Sequence, residues 1–158
     1  MKEPFIVDLD RIDINILRAL HADGRLSNAE LAIRVNVSPA TCHRRTQRLF
    51  DEGYITGVRA EVAAASVGLG ALVMVGVVLD RSTPESFAAF EAAVLKLKEV
   101  LDCNLVAGDF DYLLKIRVSD MADFNKLHGQ KLIALPGVRQ TRTFFVMKQV
   151  KDNARLPF

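Results

Sequence analysis

The chain has 158 residues, half of them hydrophobic and a quarter charged, enough for one domain or two small ones with real cores. A formal charge of +2, with nine basic and nine acidic groups in residues 1–61, excludes recognition of a polyanion by bulk charge, so any nucleic-acid reading must rest on arrangement. Cys42 and Cys103, with no Cys-x-x-Cys pair and no secretion signal, fit a reducing cytoplasm, and His21, His43 and His128 lack ligand spacing, so no metal site is expected.

Asp10 is positioned to cap a first helix whose apolar stripe is Ile12, Ile16, Ala19 and Leu20. Ser27, with Glu30 three residues on, forms a capping-box start for a second, faced by Leu31, Ala32 and Val35. Asn36-Val37 makes a tight turn. Ser38 then caps a third helix, with Pro39 at its first position, where a missing N–H is harmless. In that helix Cys42, Arg45, Thr46 and Leu49 fall on one side, and Ala40, Thr41, His43, Arg44, Gln47 and Arg48 on the other. The outer face has no acid, and its small, amide and arginine side chains suit base edges in a major groove. Arginines on a solvated face are also common in any helical hairpin. The caps, the turn and the preceding helix favour a helix-turn-helix.

Val62 to Leu79 is an uncharged run of the minimum length for a membrane span. Glycines divide it and no basic cluster flanks it, so a linker followed by a buried strand is the better reading. Gly68-Leu69-Gly70 lacks the third glycine of a dinucleotide fingerprint. The predicted organisation is a DNA-binding domain over 1–58, a linker over 59–70 and a second domain over 71–158.

The second domain alternates differently. A strand at 71–80 precedes Thr83-Pro84, a cap and first-turn proline, and a helix striped by Phe87, Phe90, Val94 and Leu97. Strands at 100–107 and 111–118 flank Gly108-Asp109. Ser119 is read as the cap of the next helix, with Asp120 and Asp123 in its first turn and Met121, Phe124, Leu127, Leu132 and Leu135 facing inward. Pro136-Gly137 stops it before a last strand over 138–150. The order β-α-β-β-α-β is ferredoxin-like, with both helices on one face of an antiparallel sheet, so the fold class is α+β. In the first strand Leu72, Met74 and Val78 oppose Val73, Val75, Val77 and Leu79. Both faces are apolar, and a second copy of the chain is the economical cover for the outer one. Asp109 and Asp111 could be read as a catalytic carboxylate pair, but no nucleophile, metal set or phosphate loop accompanies them, so no catalytic residues are assigned and an enzyme is not expected.

Leu9-Asp10, Asp13, Ile16-Leu17, Asp23-Gly24-Arg25, Leu31-Ala32, Ser38 and Gly53-Tyr54-Ile55 resemble the DNA-binding half of the Lrp/AsnC, or feast/famine, regulators. Gly108-Asp109-Phe110-Asp111-Tyr112-Leu113-Leu114-Lys115, Leu135-Pro136-Gly137-Val138, Thr141-Arg142-Thr143 and Val146-Met147 resemble that family's sensing half, most closely in its leucine-responsive branch. The similarity runs from about Leu9 to Lys151. Thr46 stands where the family commonly has valine, and Phe50 where it commonly has an acid.

The resemblance implies a cytoplasmic transcriptional regulator with an N-terminal winged helix-turn-helix and a C-terminal ferredoxin-like sensing domain. It implies homodimers that assemble to octamers, double-stranded DNA as partner, no membrane and no cofactor beyond an amino-acid effector, leucine first. Alternatives are a local regulator of one catabolic operon answering to proline or another branched-chain amino acid, or a metabolite sensor that does not bind DNA. The DNA-binding residues expected are Ser38, Thr41, His43, Arg44, Gln47 and Arg48, with Arg48 on phosphate and the others nearer the bases. The effector residues expected are Leu105, Gly108, Asp109, Asp111, Met121 and Phe144. Gly108 would admit a carboxylate to backbone amides, and Asp111, in preference to Asp109, would accept from the ammonium.

Overall fold

The computed structural model describes residues 9–158, so the first eight residues of the domain assigned to 1–58 lie outside it. Contacts divide the chain into two units, one of residues up to Glu61 together with 151–158, the other of Val62–Val150.

The first unit holds α1 (Arg11–Ala22), α2 (Asn28–Val35) and α3 (Pro39–Asp51). Each starts where its cap dictates. Asp10 accepts from the Asp13 N–H while the Asp13 carboxylate reaches back to the Asp10 N–H, a reciprocal capping box. Ser27 and Glu30 repeat the device at α2, and the Ser38 hydroxyl accepts from Thr41 N–H at α3. Asn36 ends α2 in the left-handed region at φ 57°, which asparagine tolerates, and so turns the chain into α3. Ile16, Leu31, Ala32, Cys42 and Leu49 are buried where the three helices meet. Residues 151–158, which the sequence joins to the second domain, pack here on α1. The Leu156 N–H donates to His21 Nε2 at 2.8 Å, and the Arg18 Nε donates to the Phe158 carbonyl at 2.8 Å.

The second unit is the β-α-β-β-α-β layout with its sheet in the order β2-β3-β1-β4, every neighbour antiparallel. Its elements are β1 (Ala71–Leu79), α4 (Pro84–Val94), β2 (Val100–Leu105), β3 (Tyr112–Val118), α5 (Met121–Leu127) and β4 (Val138–Phe145). Val73, Val75 and Val77 from β1 and Leu114 and Ile116 from β3 form one core with Phe90, Val94, Phe124 and Leu127 from the helices. The uncharged run before β1 contains a short 3-10 turn, Ala64–Val67, and Gly68 at φ 80°. No helix among the described residues is long and apolar enough to cross a membrane.

Three expectations are corrected. The last strand ends at Phe145 rather than 150, although the Val146 N–H still donates to the Leu72 carbonyl. Asp120, not Ser119, caps α5: its carboxylate takes the Asp123 N–H at 2.8 Å, while the Ser119 N–H and hydroxyl donate to Asp123. That shift puts Met121 at the first helical position, 57% exposed, instead of on the inner face. Beyond Leu127 the helix widens into a π-turn over His128–Leu132, which carries Leu132 into the core.

The register defines the face of the sheet away from the helices. Leu72, Met74, Gly76 and Val78 share it with Leu113, Lys115 and Arg117 of β3 and with Gln140, Arg142 and Phe144 of β4. It is apolar along β1 and mixed on either side. Phe110 lies across Gly76 so closely that a Cβ there would meet its ring at 2.6 Å. The Arg142 guanidinium stands 6.0 Å from the Phe110 centroid, and Phe144 meets that ring edge to face at 6.3 Å.

Candidate nucleic-acid interface and effector loop

The exposed side of α3 carries Ala40, His43, Arg44, Gln47 and Phe50, with Thr41, Arg45, Thr46 and Arg48 half-buried beside them. Its N-terminal half is held to α2 by the Asn28 amide, which donates to the Pro39 carbonyl at 2.9 Å. Thr41 accepts the Ser38 hydroxyl proton as well as donating its N–H, so both are engaged in the cap. Gln47 donates to Asp51 at 2.9 Å along its own helix. His43 and Arg44 are exposed and carry no hydrogen bond or ion pair among the described residues.

Arg48, expected on the outer face, turns inward. Its guanidinium meets Asp13 at 2.7 Å and Glu52 at 3.6 Å. Arg45 meets the other Asp13 oxygen at 2.9 Å and Asp10 at 2.7 Å. Asp13 is 1% exposed, the one charged residue among the buried set. A carboxylate removed from water needs partners on both oxygens, and here it has two guanidinium groups and a backbone N–H. The Asp13 N–H and then the Arg45 guanidinium hold the Asp10 carboxyl below its ordinary range, while Asp10 and Asp13 raise Arg45.

Sequence reading missed Asp13 as a functional group. The signal was there: it lies one turn before Ile16 within the buried stripe of α1, where an acid calls for a cationic partner. Helical angle alone puts Arg45 and Arg48 on neighbouring azimuths and does not settle toward which side each bends.

The residues expected to hold an effector are dispersed within the second unit. Gly108 stands at φ 153° in the β2–β3 connection, a conformation that side chains rarely adopt. Asp109 next to it is exposed and, among the described residues, has no partner. Asp111 is half-buried and engaged: its carboxylate accepts from the Leu79 N–H at 2.7 Å, and its own N–H donates to the Val77 carbonyl at 2.9 Å. Leu105 pairs with Tyr112 at the start of β3 and lies on the helix side of the sheet. Phe144, 50% exposed, pairs with Met74 on the opposite side. Met121 follows the far end of β3, roughly 20 Å along the strand from Leu105. Gly108, Asp109 and Asp111 share one loop, which Leu105 directly precedes and whose Phe110 ring meets Phe144, whereas Met121 lies at the other end of β3.

Comparison with known proteins covers both units. Residues 9–56 match the family model for winged helix-turn-helix DNA-binding domains, and residues 72–156 that for the Lrp/AsnC ligand binding domain. The chain is 50% identical over 149 residues to the leucine-responsive regulatory proteins of Salmonella typhimurium LT2 and Escherichia coli K12, covering 94% of this chain and 91% of each relative. Among solved structures it is similar to a Neisseria meningitidis transcriptional regulator in complex with L-Met, with TM-score 0.89, 37% identity and 94% and 96% of the two chains covered. An AsnC family transcriptional regulator from Agrobacterium tumefaciens superposes with TM-score 0.88 at 32% identity, covering 94% and 97%. With a capped recognition helix in one unit and the matching ligand-binding fold in the other, the chain belongs to the Lrp/AsnC family of DNA-binding transcriptional regulators with an amino-acid-binding domain.

Proposed function

We propose that this regulator acts in the cytoplasm, senses leucine, and changes its oligomeric state and its hold on specific DNA when leucine binds. The observation that carries the effector is the half identity, across 94% of the chain, to proteins named for their response to leucine. On the DNA side the face runs over Ser38, Thr41, His43, Arg44 and Gln47, with Ser38 acting through the cap. In the sensing loop the Gly108 backbone receives the amino acid's carboxylate and Asp109 accepts from its ammonium, since Asp111 already serves the Leu79 amide. Asp111 then fixes the loop, and Leu105, Met121 and Phe144 supply apolar surface from neighbouring copies.

Homodimers form through the outer face of the sheet, where half-buried Met74 and Val78 and exposed Phe144 would otherwise leave apolar surface in water. Octamers follow by further assembly. A second reading is favoured by the Neisseria relative and its L-Met: another apolar amino acid fits the same loop chemistry.

Fluorescence anisotropy on DNA from upstream of the protein's own gene, against scrambled DNA at fixed salt, tests the proposal with leucine, methionine and proline in separate arms. Leucine-dependent change in selective binding is the expected outcome. A response to methionine or proline alone would replace leucine, and indifference to every amino acid would overturn the sensing mechanism.

A further inference from the structure

The recognition helix has three arginines, and the chain neutralises two of them itself. Arg45 and Arg48 share the buried Asp13 carboxylate at 2.9 and 2.7 Å, and each meets a second carboxylate, Asp10 for Arg45 and Glu52 for Arg48. Both guanidinium groups are more than half covered, with side chains 20% and 32% exposed, while Arg44, which lines the same groove, is exposed. A carboxylate placed there does two things. It ties α3 to α1 at two points a helical turn apart, which fixes the rotation of α3 about its own axis. Together with Asp10 and Glu52, it also takes the charges of Arg45 and Arg48 out of the pool available to phosphates, the sequence-independent part of DNA binding.

We propose that Asp13 is a positioning residue that sets DNA specificity: it holds Arg45 and Arg48 away from the phosphate backbone and leaves Arg44 as the arginine of α3 that contacts DNA. The inference rests on the DNA-binding reading of α3 and reassigns Arg48 from phosphate contact to the clamp. It explains why a helix with three arginines sits in a unit of balanced charge. Arginines free to meet any phosphate would raise binding to all DNA alike and lower the ratio of specific to non-specific affinity.

The test is the salt dependence of anisotropy on a labelled scrambled duplex, with the full-length protein and its variants, alongside the upstream duplex for the specificity ratio. Arg44→Ala should lower the slope of log K against log salt by about one and lower the specificity ratio. Arg48→Ala should leave the slope unchanged. Asp13→Asn keeps shape and removes charge. It should steepen the slope by about one to two, equivalent to an added loss of roughly fourfold to sixteenfold between 50 and 200 mM salt, and lower the specificity ratio. Adding Arg48→Ala to Asp13→Asn should return about one unit of slope.

A purely structural role would shift the unfolding midpoint and move neither slope nor ratio, so a folded Asp13→Asn protein with unchanged values overturns the proposal. Loss of slope in Arg48→Ala equal to that in Arg44→Ala also overturns it, and that variant decides the matter if Asp13→Asn fails to fold. Absence of DNA binding by the unaltered protein would instead remove the DNA reading itself, and the proposal with it.

Discussion

Replacing Gly76 by alanine probes the tightest contact on the outer face of the sheet. Gly76 is buried in β1 with ordinary strand geometry, so alanine meets no backbone obstacle and should gain about 0.5–1 kcal/mol from lost unfolded-state entropy. Its Cβ, however, would sit 2.6 Å from Cδ1 and Cε1 of the Phe110 ring and 2.7 Å from its Cγ. A ring pinched near its root cannot escape by a small tip movement. It must tilt away and loosen its contacts with Phe144 and Arg142, a rearrangement of the overpacking kind that costs about 1–3 kcal/mol. The net expectation is a loss of about 0.5–2 kcal/mol, read as a lower urea midpoint at fixed protein concentration. In a Phe110→Ala background the obstacle is gone, and the same substitution should become neutral or stabilising. The coupling energy of the cycle should therefore be about 1–3 kcal/mol. A coupling near zero would refute the reasoning, because it would mean that β1 or the loop relaxes without involving the ring.

Other expectations concern separate parts of the chain. Phe90, fully buried against Tyr112 at a centroid distance of 4.5 Å, should lose about 3–5 kcal/mol on replacement by alanine, measured by chemical denaturation. Met74→Glu, opposite Phe144 and Lys115, should shift the protein toward monomer in light scattering at micromolar concentration; an unchanged mass would remove the outer sheet face as the dimer contact. Asp10 and Glu30 are held low first by backbone N–H groups of Asp13 and Ser27, Asp123 by that of Ser119, and Glu99 by Lys131. Folded values below unfolded ones mean that the unfolded chain binds more protons in between. Stability should thus be flat down to the ordinary carboxylate range near about 4 and fall below it, which urea midpoints at about pH 6 and about pH 3 would check. Burial, then the hydrogen bond to Glu91, raises the Tyr112 phenol, so the folded state keeps a proton that the unfolded chain loses. Stability should decline above about pH 10, and less steeply in Tyr112→Phe.

The caps were legible in the sequence because they are local: Asp10, Ser27, Ser38 and Thr83 each act on an amide three residues away. The strand order was legible for a related reason, since β-α-β-β-α-β with short turns leaves few arrangements open. What escaped depends on groups distant in the chain. Asp13 finds Arg48 across 35 residues, and Asp111 finds the Leu79 amide across 32. The preference for Asp111 over Asp109 as acceptor for an ammonium was made without sight of that amide at the end of β1, which donates to Asp111 Oδ2. Ser119 and Asp120 were both able to cap α5, and only the observed geometry separates an acceptor at the right distance from a donor to Asp123. The six effector residues satisfy a chemical inventory for a zwitterion, yet composition carries no information on which sheet face or which strand end each occupies.

Charge counts mislead here for a physical reason. Three arginines on one helix suggest an electrostatic surface, but a charge attracts DNA only to the extent that nothing nearer has claimed it. Asp13 lies within 3 Å of two of them, with Asp10 and Glu52 also paired to them, all far inside the Debye length of about 8 Å at physiological salt, so an approaching phosphate meets a cluster whose positive charges are offset. What remains on the exposed face of α3 is one arginine and one histidine, with Ala40, Gln47 and Phe50 beside them. Such a surface gains little from indiscriminate attraction. Contacts that depend on which bases lie beneath such a surface then count for more than attraction to any phosphate. The weak net charge of the chain and the internal neutralisation of its recognition helix point the same way, toward a protein that is selective before it is adhesive.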